Sequence, residues 1–361
     1  MPTLYDSFEL GGLHLNNRMV MAPLTRNRAT PGNQPNDLTV EYYRQRATAG
    51  LIITEATQIC PMGQGYIDTP GIHSAEQVAA WRTVTDAVHV AGGKIFMQLW
   101  HVGRISHSSL LPDGAAPVSS TARQTNAMTF AAEGFVEVSQ PRALPDDEIP
   151  DLVNDYRKAA RNAIDAGFDG VEVHSANNYL LEQFLRDSVN DRTGPYGGSI
   201  ANRTRLVVEV VQAICDEIGA NRTGIRLSPM TTFNDTPRDS DPQALYTHLV
   251  NQLSALKIAY VHVVEGETGG DREPADAEQP FDYDALRKAF GGCWMVNNGY
   301  TKETAEQAIA DGTADLVALG RPFISNPDLV ARFREGAALN ALQEDKLYGG
   351  GADGYTDYPT L

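Results

Sequence analysis

Within six residues, His174-Ser175-Ala176-Asn177-Asn178-Tyr179, the chain carries an imidazole, a primary amide and a phenol. His174 and Asn177 are three residues apart, a spacing that a helical turn would bring onto one face. An imidazole N–H and an amide N–H can both donate to one carbonyl oxygen. Such a grip polarises an enone and makes its β-carbon a hydride acceptor. Tyr179 then supplies a phenol to protonate the α-carbon from the other side. Each residue taken singly also has a structural reading, as a satisfied core histidine or a packing tyrosine.

Arg226 is the second informative charge. It sits inside Gly224-Ile225-Arg226-Leu227-Ser228, a run that otherwise reads as buried strand. A buried guanidinium needs an anionic partner. That partner is either a structural carboxylate or a flavin, whose reduction places negative charge near N1 and the C2 carbonyl. Two turns, Asn297-Asn298-Gly299-Tyr300 and Leu319-Gly320-Arg321-Pro322, suit a phosphate. Glycine lets backbone N–H groups approach an anion, and Arg321 adds a charge-assisted contact. Each turn alone could equally be an ordinary tight turn.

The elements that must position these residues alternate along the chain. Strands are expected at 18–24, 51–56, 94–99, 169–174, 224–227, 260–264, 293–297 and 315–319. Helical patterning is expected at 75–90, 149–166, 200–218, 242–256, 302–311 and 327–334, with starts signalled by Ser240-Asp241-Pro242 and Asn326-Pro327. Eight such strands imply parallel βα units. The first strand runs into Ala22-Pro23-Leu24-Thr25-Arg26 rather than a glycine-rich turn, which disfavours an open doubly wound sheet. The expected fold is therefore α/β, a (β/α)₈ TIM barrel, with residues 1–361 forming one domain. Residues 8–15 read as an N-terminal hairpin plugging the barrel floor. A capping insertion follows strand three at about 103–146, and a C-terminal tail occupies about 340–361.

In a barrel the active site lies at the C-terminal strand ends. That rule selects Thr25, Ala56, Gln98, Trp100, His101, His174, Arg226, Ser228, Asn298, Gly299, Gly320 and Arg321. Acidic partners for a metal are scarce among these ends, so no metal site is expected. No lysine sits where a Schiff-base barrel needs one. Gly349-Gly350-Gly351-Ala352-Asp353-Gly354 satisfies GxGxxG but lacks the strand before it and the helix after it. It reads as a flexible tail.

A formal net charge of −17 leaves no basic stripe for nucleic acid. No apolar run has the length of a membrane span, and the N-terminus lacks a signal-peptide pattern. Three dispersed cysteines fit a reducing compartment, so a cytoplasmic protein is expected, with a monomer as the default and the oligomeric state open. A barrel that binds a ligand without catalysis is the rival from another class.

The sequence resembles the Old Yellow Enzyme family, and within it the bacterial ene-reductases similar to N-ethylmaleimide reductase and pentaerythritol tetranitrate reductase. The resemblance covers nearly the whole chain. It is carried by Met21-Ala22-Pro23-Leu24-Thr25-Arg26, Gln98-Leu99-Trp100-His101-Val102-Gly103-Arg104, the 174–180 cluster, 191–203, 319–322 and 348–359. The resemblance implies non-covalent FMN, reduced by NADPH or NADH, and a ping-pong transfer of hydride from flavin N5 to an activated alkene. It implies that Thr25 meets the flavin O4, that Pro23, Leu24, Ala56, Gln98 and Arg226 meet the ring, and that Asn298, Gly299, Gly320 and Arg321 meet the phosphate end. His174 and Asn177 match the pair that grips a substrate carbonyl or a phenolic ligand, and Tyr179 the proton donor. Tyr66, Trp100 and Tyr348 look like pocket walls. A cysteine cluster and second domain, as in dienoyl-reductase relatives, are missing. Ser175 and Asn178 stand where glycines are usual; asparagine tolerates left-handed backbone better than most residues.

Overall fold

The computed structural model describes residues 1–272 and 280–361. Eight parallel strands close into a ring: β1 (Met19–Met21), β2 (Leu51–Ile53), β3 (Ile95–Trp100), β4 (Gly170–Ser175), β5 (Thr223–Leu227), β6 (Tyr260–Val264), β7 (Cys293–Asn297) and β8 (Leu316–Leu319). Closure is made by Val317 of β8 pairing with Met19 of β1 and by Glu172 of β4 pairing with Gln98 of β3. Each strand is followed by an outer helix: α1 (Asp37–Gln45), α2 (Ala75–Val90), α3 (Ile149–Asp165), α4 (Ile200–Ile218), α5 (Pro242–Leu256), α6 (Tyr283–Phe290), α7 (Lys302–Ala310) and α8 (Leu329–Glu335). The fold is the (β/α)₈ barrel that the alternation of patterns implies.

Strand alternation divides the core in two. Val171, Val173, Ile225, Leu227, Val261 and Val263 point outward and pack under the helices. Val20, Leu51, Phe96, Tyr260, Met295 and Leu316 fill the lower interior. The helices bury stripes at helical spacing; in α3 these are Ile149, Leu152, Tyr156, Ala159, Ala160 and Ala163. Starts are fixed by caps, such as Ser74 with Gln77 on α2 and Asp241 accepting from Ala244 N–H on α5.

The hairpin forms as expected. Phe8–Leu10 pairs antiparallel with Leu13–Leu15, and Gly11 and Gly12 both adopt positive φ in its turn. Leu10 and Leu15 join the lower interior cluster and close the barrel floor. Burying each side chain stabilises the fold by about 1.5–3 kcal/mol. The insertion after β3 also forms, with short strands Val118–Ser119, Met128–Ala131, Gly134–Glu137 and Arg142–Ala143.

Three expectations change. The helices α1 and α6, of 9 and 8 residues, were not anticipated because each buries only a few side chains. Asn326-Pro327 does not start a helix. Asn326 Nδ2 donates to the Pro322 carbonyl and its Oδ1 accepts from Asn340 N–H, closing the short helix Arg321–Ser325. The expected flexible tail is tethered. Arg26 donates to the carbonyls of Leu347 and Gly354, and Arg28 to those of Lys346, Gly351 and Asp353. Tyr355 is fully buried and stacks on Tyr42 at 4.2 Å. Among the described residues no helix is long and apolar enough to cross a membrane.

Candidate active site

The interior changes character on rising toward the strand ends. Above the apolar floor lies a buried polar tier of Gln98, Glu172 and His262, and above that His174, Arg226 and Asn297. The register places His174 beside Arg226 and Arg226 beside His262 on adjacent strands.

At the mouth the aromatic residues form a box. Trp100 stacks on Tyr66 at 5.7 Å and on His174 at 6.2 Å, and meets the Tyr179 ring edge-on at 5.0 Å. His174 and Tyr179 are themselves perpendicular at 5.1 Å. Ala56 belongs to the same cluster. Tyr348 is 60% exposed at the rim, near enough that its charge would act on both Tyr66 and Tyr179.

His174 is buried, and burial holds its imidazole well below the usual histidine range, with Arg226 and His262 adding to the effect. The ring is therefore neutral. Its Nδ1 accepts from Ala176 N–H at 3.3 Å, so the proton resides on Nε2 and is free to be donated. His101 is likewise buried and pushed down to about 3, with Nδ1 taking the Gly103 N–H. It acts in the loop rather than at the mouth.

No helical turn forms between His174 and Asn177. Asn177 and Asn178 are both left-handed, at φ of 56° and 59°, so the corner depends on the tolerance of asparagine. The Asn177 N–H donates to Ser228 Oγ at 2.7 Å, and Ser228 in turn donates to Glu182. Asn178 N–H donates to Glu182 Oε2 at 2.6 Å. Glu182 is fully buried and pairs with Arg186 at 2.9 Å. Removing either partner would strand a buried charge, so the corner is firmly held. Asn177 Oδ1 accepts from Thr268 Oγ1 at 2.7 Å, which leaves Nδ2 as its unengaged group among the described residues.

Tyr179 opens the short helix Leu180–Leu185. Burial pushes its hydroxyl up to about 12, while hydrogen bonds from Tyr66 and Asn234 act against that shift. The Tyr66 and Tyr179 oxygens are 3.0 Å apart. Asn234 also donates to the Asn177 carbonyl at 2.9 Å, tying the grip and the phenol to one loop after β5.

Arg226 meets Asn297 Oδ1 through Nη2 at 2.8 Å, while its buried Nε has no protein partner. Among the described residues no carboxylate is in ion-pair contact with it. Pro23 is buried and Leu24 and Thr25 are half-buried at the end of β1. A Cβ on Gly320 would stand 3.3 Å from Leu24, so that turn is closely fitted to β1. Gly299 takes φ of 65°. The Asn298 amide is committed elsewhere, donating to the carbonyls of Glu265 and Glu267. Any contact it makes with an anion is through its backbone. Arg321 is exposed on the same rim, 3.8 Å from where a Cβ on Gly269 would lie.

Sequence reasoning missed Thr268, Asn234, Glu182, Glu172 and Arg272. Arg272 lies over the Tyr300 ring at 4.5 Å and beside Gly299, giving that rim a second guanidinium. They reach the site from the loops after β5 and β6, from the short helix after β4, or from beneath it. The Gly269-Gly270 pair just before Arg272 was the one local signal available.

Residues 3–340 match the model of the NADH:flavin oxidoreductase / NADH oxidase family. The chain is 48% identical to 12-oxophytodienoate reductase 1 of Oryza sativa subsp. japonica, covering 99% of this chain and 93% of that relative. It superposes on morphinone reductase in complex with tetrahydroNAD with a TM-score of 0.94 at 45% identity, covering 100% and 98% of the two chains. The Old Yellow Enzyme homologue from Zymomonas mobilis gives a TM-score of 0.95 at 44% identity, covering all of both. The likeness includes plant reductases and is therefore not confined to the bacterial ene-reductases that the sequence suggested.

Proposed function

We propose, from the premise that this chain belongs to the Old Yellow Enzyme family of NADH:flavin oxidoreductases, that it reduces the C=C bond of alkenes conjugated to a carbonyl or nitro group. The family implies FMN as cofactor and NADPH or NADH as reductant. Two features of the site fit such a group. Arg226 offers a buried guanidinium with an unpartnered Nε, and Gly299, at positive φ beside Arg272, sits on the rim where two guanidiniums would meet a phosphate. Thr25, Pro23, Leu24, Ala56, Gln98, His174 and Arg226 would hold the ring; Asn298, Gly299, Gly320 and Arg321, joined by Arg272, would hold the phosphate. Bound FMN supplies a hydride carrier between nicotinamide and alkene.

The chain's own residues supply orientation and the proton. His174 Nε2 and Asn177 Nδ2 donate to the oxygen of a substrate carbonyl, maleimide or nitro group, withdrawing electrons from the β-carbon. A phenolic ligand would use the same two donors. Tyr179 keeps its proton at neutral pH and delivers it to the α-carbon, with the Tyr66 hydroxyl beside it to support the phenolate that results. Trp100, Tyr66 and Tyr348 wall the pocket and exclude water.

The observation that carries this reading is the neutral His174 with its proton on Nε2, set against a protonated Tyr179. Anaerobic reduction of the holoprotein by NADPH, followed by mixing with 2-cyclohexenone, should restore the oxidised flavin spectrum. Persistence of the reduced spectrum would refute the alkene assignment. A smaller effect is expected at Thr268. Valine there removes the donor to Asn177 Oδ1, costing about 1 kcal/mol and raising KM for the enone roughly fivefold, with kcat for nicotinamide oxidation unchanged.

A further inference from the structure

One buried charge has no task in the reaction just described. Glu172, on β4, is fully buried inside the barrel. Its Oε1 accepts from Gln98 Nε2 at 2.8 Å, and its Oε2 accepts from His262 Nδ1 at 2.9 Å. Gln98 and His262 are also buried, on β3 and β6, so three strands meet at this carboxylate.

The contact with Gln98 is directional. A carboxylate only accepts, whereas the two ends of a glutamine amide differ in chemistry but hardly in shape. Glu172 therefore requires Nε2 to turn toward it, which leaves the second Nε2 hydrogen and the Oε1 acceptor for whatever lies above. Among the described residues no protein donor takes Gln98 Oε1, and the Gln98 backbone N–H is held by Thr54 Oγ1 at 3.2 Å. Flipping the amide would set oxygen against oxygen.

The contact with His262 fixes a second group. Its Nδ1 carries the proton donated to Glu172, and burial favours the neutral ring while the Glu172 charge opposes that. The His262 Nε2 is buried without a partner. Arg226 stands next to His262 across the β5–β6 register, and its pKa is lowered by burial and supported by the charge of Glu172. Glu172 is thus the fixed negative charge that Arg226 feels from below.

We propose that Glu172 is a positioning residue for the flavin: it orients the Gln98 amide and offsets part of the Arg226 charge, holding the reduction potential below what Arg226 alone would set. This rests on the placement of Gln98 and Arg226 against the isoalloxazine ring. Arg226 favours electrons added to the ring; a carboxylate behind it opposes them, and in a desolvated interior both effects are strong. A purely structural role, as a hydrogen-bond acceptor that packs Gln98 and His262 in the barrel interior, would leave the potential where it is.

The test is the two-electron midpoint potential of purified FMN-loaded protein, measured by equilibration with a reference dye. In Glu172→Gln the amide oxygen can still accept from Gln98 while the charge is gone. The potential should rise by at least about 30 mV, a tenfold change in the equilibrium constant. Glu172→Asp keeps the charge but withdraws the oxygens by one carbon. It should weaken FMN binding to apoprotein at least tenfold and leave the potential unchanged. An unmoved potential in the first variant, or unmoved FMN affinity in the second should the first not fold, overturns the proposal. Arg226→Met reads the underlying placement separately. If its potential and FMN affinity both match the parent protein, the flavin seat is wrong, and the failure belongs to that reading.

Discussion

Alanine at His174 should weaken binding of a para-substituted phenol and raise KM for an enone together, each by roughly 10- to 100-fold. The expectation comes from one proton. Ala176 N–H occupies Nδ1, so Nε2–H is the imidazole's only donor, and it faces a pocket walled by Trp100 and Tyr179. A hydrogen bond to a charged or strongly polarised oxygen contributes about 1.5–3 kcal/mol, and each 1.4 kcal/mol is tenfold. Both ligands use the same donor, so both should fall by similar factors. The phenol titration is read from the long-wavelength absorption band of the complex. Unchanged affinity for both would remove His174 from the grip. Because burial keeps the ring neutral well below the usual histidine range, phenol affinity in the parent protein should not rise as pH falls from 8 to 5. A rise over that window would mean that the ring gains a proton and binds as a cation.

Phenylalanine at Tyr179 should slow alkene turnover by about 10²–10⁴-fold, the range for removing a positioned general acid. Flavin reduction by NADPH should be unaffected, since no proton is delivered to an alkene in that step. Stopped-flow absorbance separates the two half-reactions. Equal losses in both would make Tyr179 a wall of the pocket rather than its acid. The hydroxyl is held where a donor must be. Burial raises it to about 12, so it is protonated when needed, and the Tyr66 oxygen 3.0 Å away and Asn234 receive it as it loses its proton.

The barrel was legible because its cause is local. Alternating apolar runs such as Tyr260–Val264 and capped amphipathic helices such as Pro242–Leu256 declare their period within a few residues. The strand-end rule then picked out His174, Arg226, Gln98 and Trp100, and these do gather in one interior. What stayed hidden depends on contacts between distant parts of the chain. Nothing around Thr268 announces that its hydroxyl reaches Asn177, 91 residues away. Glu172 reads as one polar residue in a strand until Gln98 and His262 meet it from two others. Arg226 showed that an anionic partner was needed, a carboxylate or a flavin, but not that Asn297 would accept from Nη2 while Glu172 acts on the guanidinium without touching it. The helical turn expected at 174–177 failed for a different reason. Two successive asparagines permit a left-handed corner, which no spacing argument foresees.

The tether between the β1 loop and residues 346–354 bears on the order in which the molecule is made. Arg26, next to Thr25, donates to Leu347, a residue 321 positions further along the chain. A ribosome adding about 5–20 residues per second needs on the order of tens of seconds to cover that distance. Throughout that interval the first rim of the proposed flavin seat exists without the segment that braces it. Tight retention of the cofactor should therefore be a late event in biogenesis, following synthesis of residues 346–354 rather than guiding the early folding of the chain.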